Sequence, residues 1–230
     1  MLMNMTTASK KSTRRRGRPR LDETGGEELR EAIIGATSQV YAEHGFHGTT
    51  VELILKTANV SRPTFYKLFD DRRSIIEIVV ERANRTLVEH VLQSVGDLSN
   101  PVQMMKASID AYFRWCADMG TLVGPIYNEI NDPASPASEQ RARIIGDLAS
   151  LFVVQEQKLG LSPADPLLYD GLLRAIEHIG SSAFWPKRLS EKEIVRRHSV
   201  ALDLALSVIQ GERNREVQTG ELQNTEKEKP

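Results

Sequence analysis

The sequence predicts an all-α fold of about nine helices, with a small N-terminal head of three helices that includes a helix-turn-helix, and a larger helical body behind it. Three observations predict this. Apolar residues recur at three- and four-residue intervals in one segment after another, the spacing of helices buried along one face. The ends of these segments carry helix punctuation, with Thr, Ser or Asp before the starts and Gly, Asn or Pro around the stops. Finally, Thr49 to Phe69, TTVELILKTANVSRPTFYKLF, holds two short capped helices joined by a tight turn.

At 230 residues the chain is long enough for one sizeable core or a small head plus a larger body. An apolar content of 40% and a charged content of 27% are ordinary for a globular protein. No apolar run approaches the roughly 20 residues that span a bilayer, and the N-terminus is too polar for a signal peptide, so a cytoplasmic protein is expected. The single cysteine, Cys116, rules out an intrachain disulfide framework and a thiolate metal cluster. The net charge of −1 averages two unlike parts. Lys10, Lys11, Arg14, Arg15, Arg16, Arg18 and Arg20 lie within eleven residues free of acids, and the remaining 23 basic residues are outnumbered by 31 acidic ones.

Residues 1–26 lack helical periodicity and end in Thr24-Gly25-Gly26, so they read as a flexible basic arm. Its centre, Arg16-Gly17-Arg18-Pro19-Arg20, has the shape of a narrow peptide that lays arginines into an A·T-rich minor groove, although a generic basic tail has the same composition. Helix 1 is expected from about Glu27 to His44, with Leu29, Ile33, Ala36 and Val40 on one face and Gly45 closing it. His44 and His47 are three residues apart, but Gly45 and Gly48 break the helix that a metal pair would need, so no metal site is expected.

Thr50 can cap the next helix, which carries Val51, Leu53, Ile54 and Leu55 and ends at Ala58. Asn59 suits the left-handed backbone of the turn. Ser61 caps the following helix, Pro63 falls in its first turn, and Phe65, Leu68 and Phe69 face the core. Arg62, Thr64, Tyr66 and Lys67 are left pointing outward. This is the pattern of a helix that enters a DNA major groove, and equally that of a helical hairpin polar on its outer face. The basic arm beside it favours DNA.

The run from Phe46 to Ile75, FHGTTVELILKTANVSRPTFYKLFDDRRSI, resembles the DNA-binding head of the TetR/AcrR family of transcriptional regulators. Phe46, Thr49, Thr50, Ala58, Val60, Ser61, Tyr66 and Phe69 carry the resemblance, which covers residues 28 to about 80. Asn59 stands where the family has a turn glycine, Leu68 where it often has His or Tyr, and Arg72 in place of a lysine. The resemblance implies a helix-turn-helix domain over residues 27–73 and a ligand-binding and dimerisation domain over 74–211. Together with side-chain chemistry it implies that Thr50, Ser61, Tyr66 and Arg72 hold phosphates while Arg62, Thr64 and Lys67 reach base edges. Arg16, Arg18 and Arg20 of the arm complete the expected DNA-binding set.

Asp70 or Asp71 can cap helix 4, which places Ile76, Val80, Ala83, Leu87 and Val91 on one face and is long enough to couple head and body. Helix 5, from about Val102 to Met119, carries two adjoining apolar stripes, Met105, Ile109, Tyr112, Cys116 and Met119 beside Met104, Ala111 and Trp115, and is expected to be central. A short helix 6 carries Tyr127, followed by a loop from Asn131 to Pro136. Helix 7 is expected from Ala137 to Leu159, helix 8 from Pro166 to Phe184 and helix 9 from Glu191 to Gln210, and the polar tail over 212–230 is expected to be disordered.

The resemblance implies an inducer pocket among helices 4 to 8, with Tyr112, Trp115, Met119, Tyr127, Phe152, Gln155 and His178 as candidate ligand contacts. An apolar or amphipathic small molecule suits these residues, although each aromatic alone is explained as well by ordinary packing. The resemblance further implies a homodimer through helices 8 and 9 that reads a near-palindromic operator, with a ligand shifting helix 4 to release the heads. No cofactor is expected. No nucleophile elbow, phosphate loop or zinc-protease motif points to an enzyme. The rival reading is a sequence-tolerant architectural DNA- or RNA-binding protein.

Overall fold

A computed structural model describes residues 23–96, 98–158, 160 and 165–208. Among them the chain is helical throughout, with no strand. The elements are α1 (Glu23–Gly48), α2 (Val51–Ala58), α3 (Arg62–Leu68), α4 (Arg72–Val95), α5 (Pro101–Met119), α6 (Val123–Asn128), α7 (Pro136–Lys158) and α8 (Pro166–Ser181). A last helix, α9, covers 191–208. Residues 1–22, with Arg16, Arg18 and Arg20, and the tail beyond 208 lie outside the described residues; residues 23–26, expected in the arm, instead form the first turn of α1, which bends at Gly45 (φ 64°, ψ −173°) and continues to Gly48 rather than ending at His44.

Local chemistry sets the boundaries. Thr50 caps α2, its side chain accepting from the Leu53 N–H at 3.2 Å. Asp71, of the two candidate aspartates, caps α4 in a reciprocal box with Ser74: Asp71 Oδ1 accepts from the Ser74 N–H at 2.7 Å, and Ser74 Oγ from the Asp71 N–H at 3.3 Å. Asn100 caps α5 and Asp165 caps α8, each with proline at the next residue. Pro136, expected in the loop, instead opens α7, because the first helical position needs no N–H donor. Helix 8 stops at Ser181, three residues short of its expected end.

In the head, α1, α2, α3 and the start of α4 close on Ile33, Tyr41, Ile54, Phe65, Ile75 and Ile76, all fully buried. The same cluster of buried side chains continues into the body through Val79, Val80 and Ala83 of α4 to Ile109, Trp115 and Cys116 of α5 and Ile176 of α8. Helix α5 is central, as its double stripe predicts: seven of its side chains are buried, and Trp115 Nε1 donates to the Ala83 carbonyl of α4 at 2.8 Å. Helix α9 buries Ile194, Ala201 and Ala205 and leaves Val195 exposed.

Candidate nucleic-acid interface and internal pocket

The turn between α2 and α3 is made by Asn59, which takes left-handed angles (φ 52°, ψ 46°), while the Val60 N–H donates to the Leu55 carbonyl at 3.1 Å. Asn accepts this region at low cost because its short polar side chain bonds locally. Ser61 then caps α3: its Oγ lies 2.7 Å from Thr64 Oγ1 and accepts from the Thr64 N–H at 3.4 Å. Phe65 is fully buried and Phe69 nearly so, which anchors one side of α3. The other side presents Tyr66, 47% exposed, with Lys67 and Arg62 also exposed. Arg62 forms an ion pair with Glu52 of α2. Arg72 turns inward: its Nη1 donates to the carbonyls of Phe46 and of Thr49 (2.9 Å for the latter), and its guanidinium lies 4.4 Å from the centre of the Phe46 ring.

A second polar cluster joins head and body. Glu129, just after α6, is buried and accepts from Tyr41 Oη at 2.7 Å, from the Phe46 N–H at 2.6 Å and from Ser135 Oγ at 2.8 Å. Burial, with the carboxylate of Glu129 next in importance, raises the Tyr41 phenol above its ordinary value, so it stays protonated and keeps donating. Gly45 is required here twice over. Its φ of +64° is left-handed, and a Cβ would stand 2.7 Å from Glu129 Oε1. Nearby, Asp132 Oδ2 lies 2.6 Å from His47 Nε2, and Arg73 of α4 donates to the Ala134 carbonyl. The Ala134 N–H, donating to Asp132 Oδ1, and then His47 hold the Asp132 carboxyl below the usual range.

The body holds a predominantly apolar, partly open cavity of about 90 Å³ between α4, α5, α7 and α8, with Ile126 and Ile130 also on its wall. Leu87 and Val91 of α4 line one wall, Tyr112 and Trp115 stack at 5.9 Å on another, and Phe152 closes a third. One charged pair reaches it, Arg141 of α7 with Glu177 of α8. Behind the wall, burial pushes the Cys116 thiol up to about 12, so it is a packed apolar group rather than a nucleophile.

Residues 33–79 match the family model described as bacterial regulatory proteins, tetR family. The HTH-type transcriptional repressor BepR of Brucella suis is 29% identical over 158 residues, 68% of this chain and 69% of BepR. Residues 33–79 form a TetR-family DNA-binding head, and the likeness to BepR supports a regulator of that family. The match to a second relative, the HTH-type transcriptional regulator HbdR of Aromatoleum, is 28% identical and covers 37% of this chain and only 38% of that protein. A TetR-family regulator from Streptomyces coelicolor has the same fold, with a TM-score of 0.63 at 15% identity over 89% of this chain and 90% of that one. With this head, and in its likeness to helix-turn-helix regulators, the protein is a DNA-binding transcriptional regulator.

Within this TetR-family head, Ser61, Arg62, Thr64, Tyr66 and Lys67 lie on α3 and its cap, while Thr50 caps the start of α2. Arg72, expected at a phosphate, donates from Nη1 to the Phe46 carbonyl near the close of α1 and to the Thr49 carbonyl just beyond it. In the pocket, Tyr112, Trp115 and Phe152 line the cavity. Met119, Tyr127, Gln155 and His178 are not on its wall. Met119 packs on the core at the end of α5, and Tyr127 Oη meets His178 Nδ1 at 2.5 Å outside it. Helical spacing identifies an apolar face but not which of several neighbours that face meets. Arg141 carried a usable signal, a lone charge in the stripe Ala137, Arg141, Ile144, Ile145 and Leu148. Glu129 carried none, since Tyr41 is 88 residues away and Phe46 83.

Proposed function

We propose that this regulator acts as a homodimer on a near-palindromic operator, represses in its ligand-free form, and is released when an apolar or amphipathic small molecule enters the cavity of the body. The observation that carries the reading is α3, whose exposed Arg62, Tyr66 and Lys67 stand on a helix anchored by the fully buried Phe65. In this reading Thr50, Ser61 and Tyr66 hold phosphates and set register, while Arg62, Thr64 and Lys67 address base edges. Arg72 serves the interface by fixing the carbonyls of Phe46 and Thr49, and so the start of α2. Arg16, Arg18 and Arg20 add minor-groove or phosphate contacts from the arm. The description of BepR as a repressor supports the repressing sign.

The cavity explains how an effector acts. Ligand sites for drug-sized molecules occupy roughly 300 to 1,000 Å³, and this one holds about 90 Å³. An effector of that size therefore binds only a more open form, and its preference for that form supplies the coupling free energy. Two routes lead from the wall to the head. Helix α4 supplies Leu87 and Val91 to the cavity and begins at the head. Ile126 and Ile130 flank Glu129, whose bonds to Tyr41 and Phe46 hold α1.

The test measures affinity for the intergenic DNA beside the gene against random duplex. Arg62→Ala and Lys67→Ala are expected to cost about 1 to 3 kcal/mol on the operator and less on random DNA. Equal losses on both would remove the base-reading role.

A further inference from the structure

The cavity has a polar end of zero net charge, and this restricts what it takes. Ser108, Tyr112 and Trp115 on the wall have each committed their one donor, Ser108 Oγ to the Met104 carbonyl (2.9 Å), Tyr112 Oη to the Glu177 carbonyl (3.0 Å) and Trp115 Nε1 to the Ala83 carbonyl (2.8 Å), and Asn84 Nδ2 has committed one of its two N–H groups to Gln140 Oε1 (3.1 Å). The charged groups on the wall are the guanidinium of Arg141 and the carboxylate of Glu177, with side chains only 10% and 20% exposed. Both Arg141 Nε (2.7 Å) and Arg141 Nη2 donate to one oxygen, Glu177 Oε2. The contact leaves Arg141 Nη1 and Glu177 Oε1 outside it, a donor and an acceptor on one charge-balanced pair.

A buried charge is tolerated only when it is paired. A carboxylate entering beside Arg141 would meet Glu177, and an ammonium entering beside Glu177 would meet Arg141. In either case one charge would be left uncompensated in apolar surroundings. A neutral head group with an adjacent acceptor and donor avoids this penalty, since its carbonyl accepts from the guanidinium while its N–H or O–H donates to the carboxylate.

We propose that the effector of this regulator is an uncharged amphiphile with an amide-like head, recognised by the Arg141–Glu177 pair, and that the same pair rejects anionic and cationic counterparts of equal size. The proposal rests on the reading that the cavity is the effector site.

Octanamide, octanoate and octylammonium share a tail and differ in charge at neutral pH, and titration calorimetry on the full-length protein compares them. Octanamide is expected to bind at least tenfold more tightly than either ion. Glu177→Gln leaves Arg141 unbalanced and should invert the order in favour of octanoate, whereas Arg141→Gln should favour octylammonium. The double variant, neutral again, should restore the preference for octanamide, which separates charge selection from damage to the fold. Leu148→Trp, which fills the cavity, should abolish all binding. If Leu148→Trp blocks binding but an ion is preferred by the unaltered protein, or the order does not follow the substitutions, the charge rule is overturned while the cavity reading stands. Binding untouched by Leu148→Trp overturns the cavity reading and the proposal with it. Failure of octanamide to bind overturns the proposal.

Discussion

Arg62 and Glu52 show how a single residue can temper an interface. Arg62 is the outermost cation at the start of α3, yet it is paired with a carboxylate on the preceding helix. Both side chains are more than half exposed, and ion pairs at such exposure are weakly held. If Arg62 meets DNA as proposed, the pair acts as a brake on that contact, and at this exposure it adds little to the stability of the head. Glu52→Gln frees Arg62 and removes a negative charge from the phosphate-facing side. It is expected to raise affinity for operator and random DNA alike by a few-fold, with a steeper salt dependence, as read by fluorescence anisotropy at two ionic strengths. No gain on either DNA would place Arg62 and Glu52 outside the contact surface. The head's capping residues were legible in sequence, since Thr50, Ser61 and Asp71 act within three positions of their own backbone. The partners of Arg62 and Arg72 were not, because long cations choose among carboxylates and carbonyls that only folding brings near.

The segment from Asn131 to Pro136 reads in sequence as a loop, and in the fold its residues up to Ser135 form, with Glu129 just before them, the joint between body and head. Its bonds run to α1 through Tyr41 and Phe46, to the close of α1 through His47, and to α4 through Arg73. Asp132 makes this joint sensitive to acid. Its folded pKa is depressed, so its contribution to stability is present above the ordinary aspartate value of 3.8 and is lost as pH falls through the lower folded value. Asp132→Asn is accordingly expected to lower the unfolding midpoint at about pH 5, with the difference from the unaltered protein shrinking as pH falls below the ordinary aspartate value of 3.8. A constant difference across this range in thermal melts would show that the carboxylate charge plays no part.

For the molecule as a whole, the exposed apolar side chains of the last two helices bear on assembly. Leu167 at the start of α8 is 74% exposed and Val195 of α9 is 61% exposed, although α9 buries Ile194, Ala201 and Ala205 on its other side. A dimer through these helices would cover them and set two heads on successive half-sites. Leu167→Glu and Val195→Glu are expected to halve the mass measured by light scattering at micromolar concentration. Operator affinity should fall about a hundredfold or more as the second head is lost. An unchanged mass for both variants would move the dimer surface elsewhere.

By itself the sequence determined the helical class, the boundaries of the middle helices to within a residue, the α2–α3 turn and the family resemblance of the head, because these depend on interactions within a few residues and on hydrophobic periodicity. Tertiary structure alone decided which apolar faces enclose the cavity, that Arg141 and Glu177 form its charged end, and that Glu129 ties the body to the head. These rest on contacts between residues 36 to 88 positions apart. Helical spacing says that a face is buried, and only the packing of one helix on another says against what.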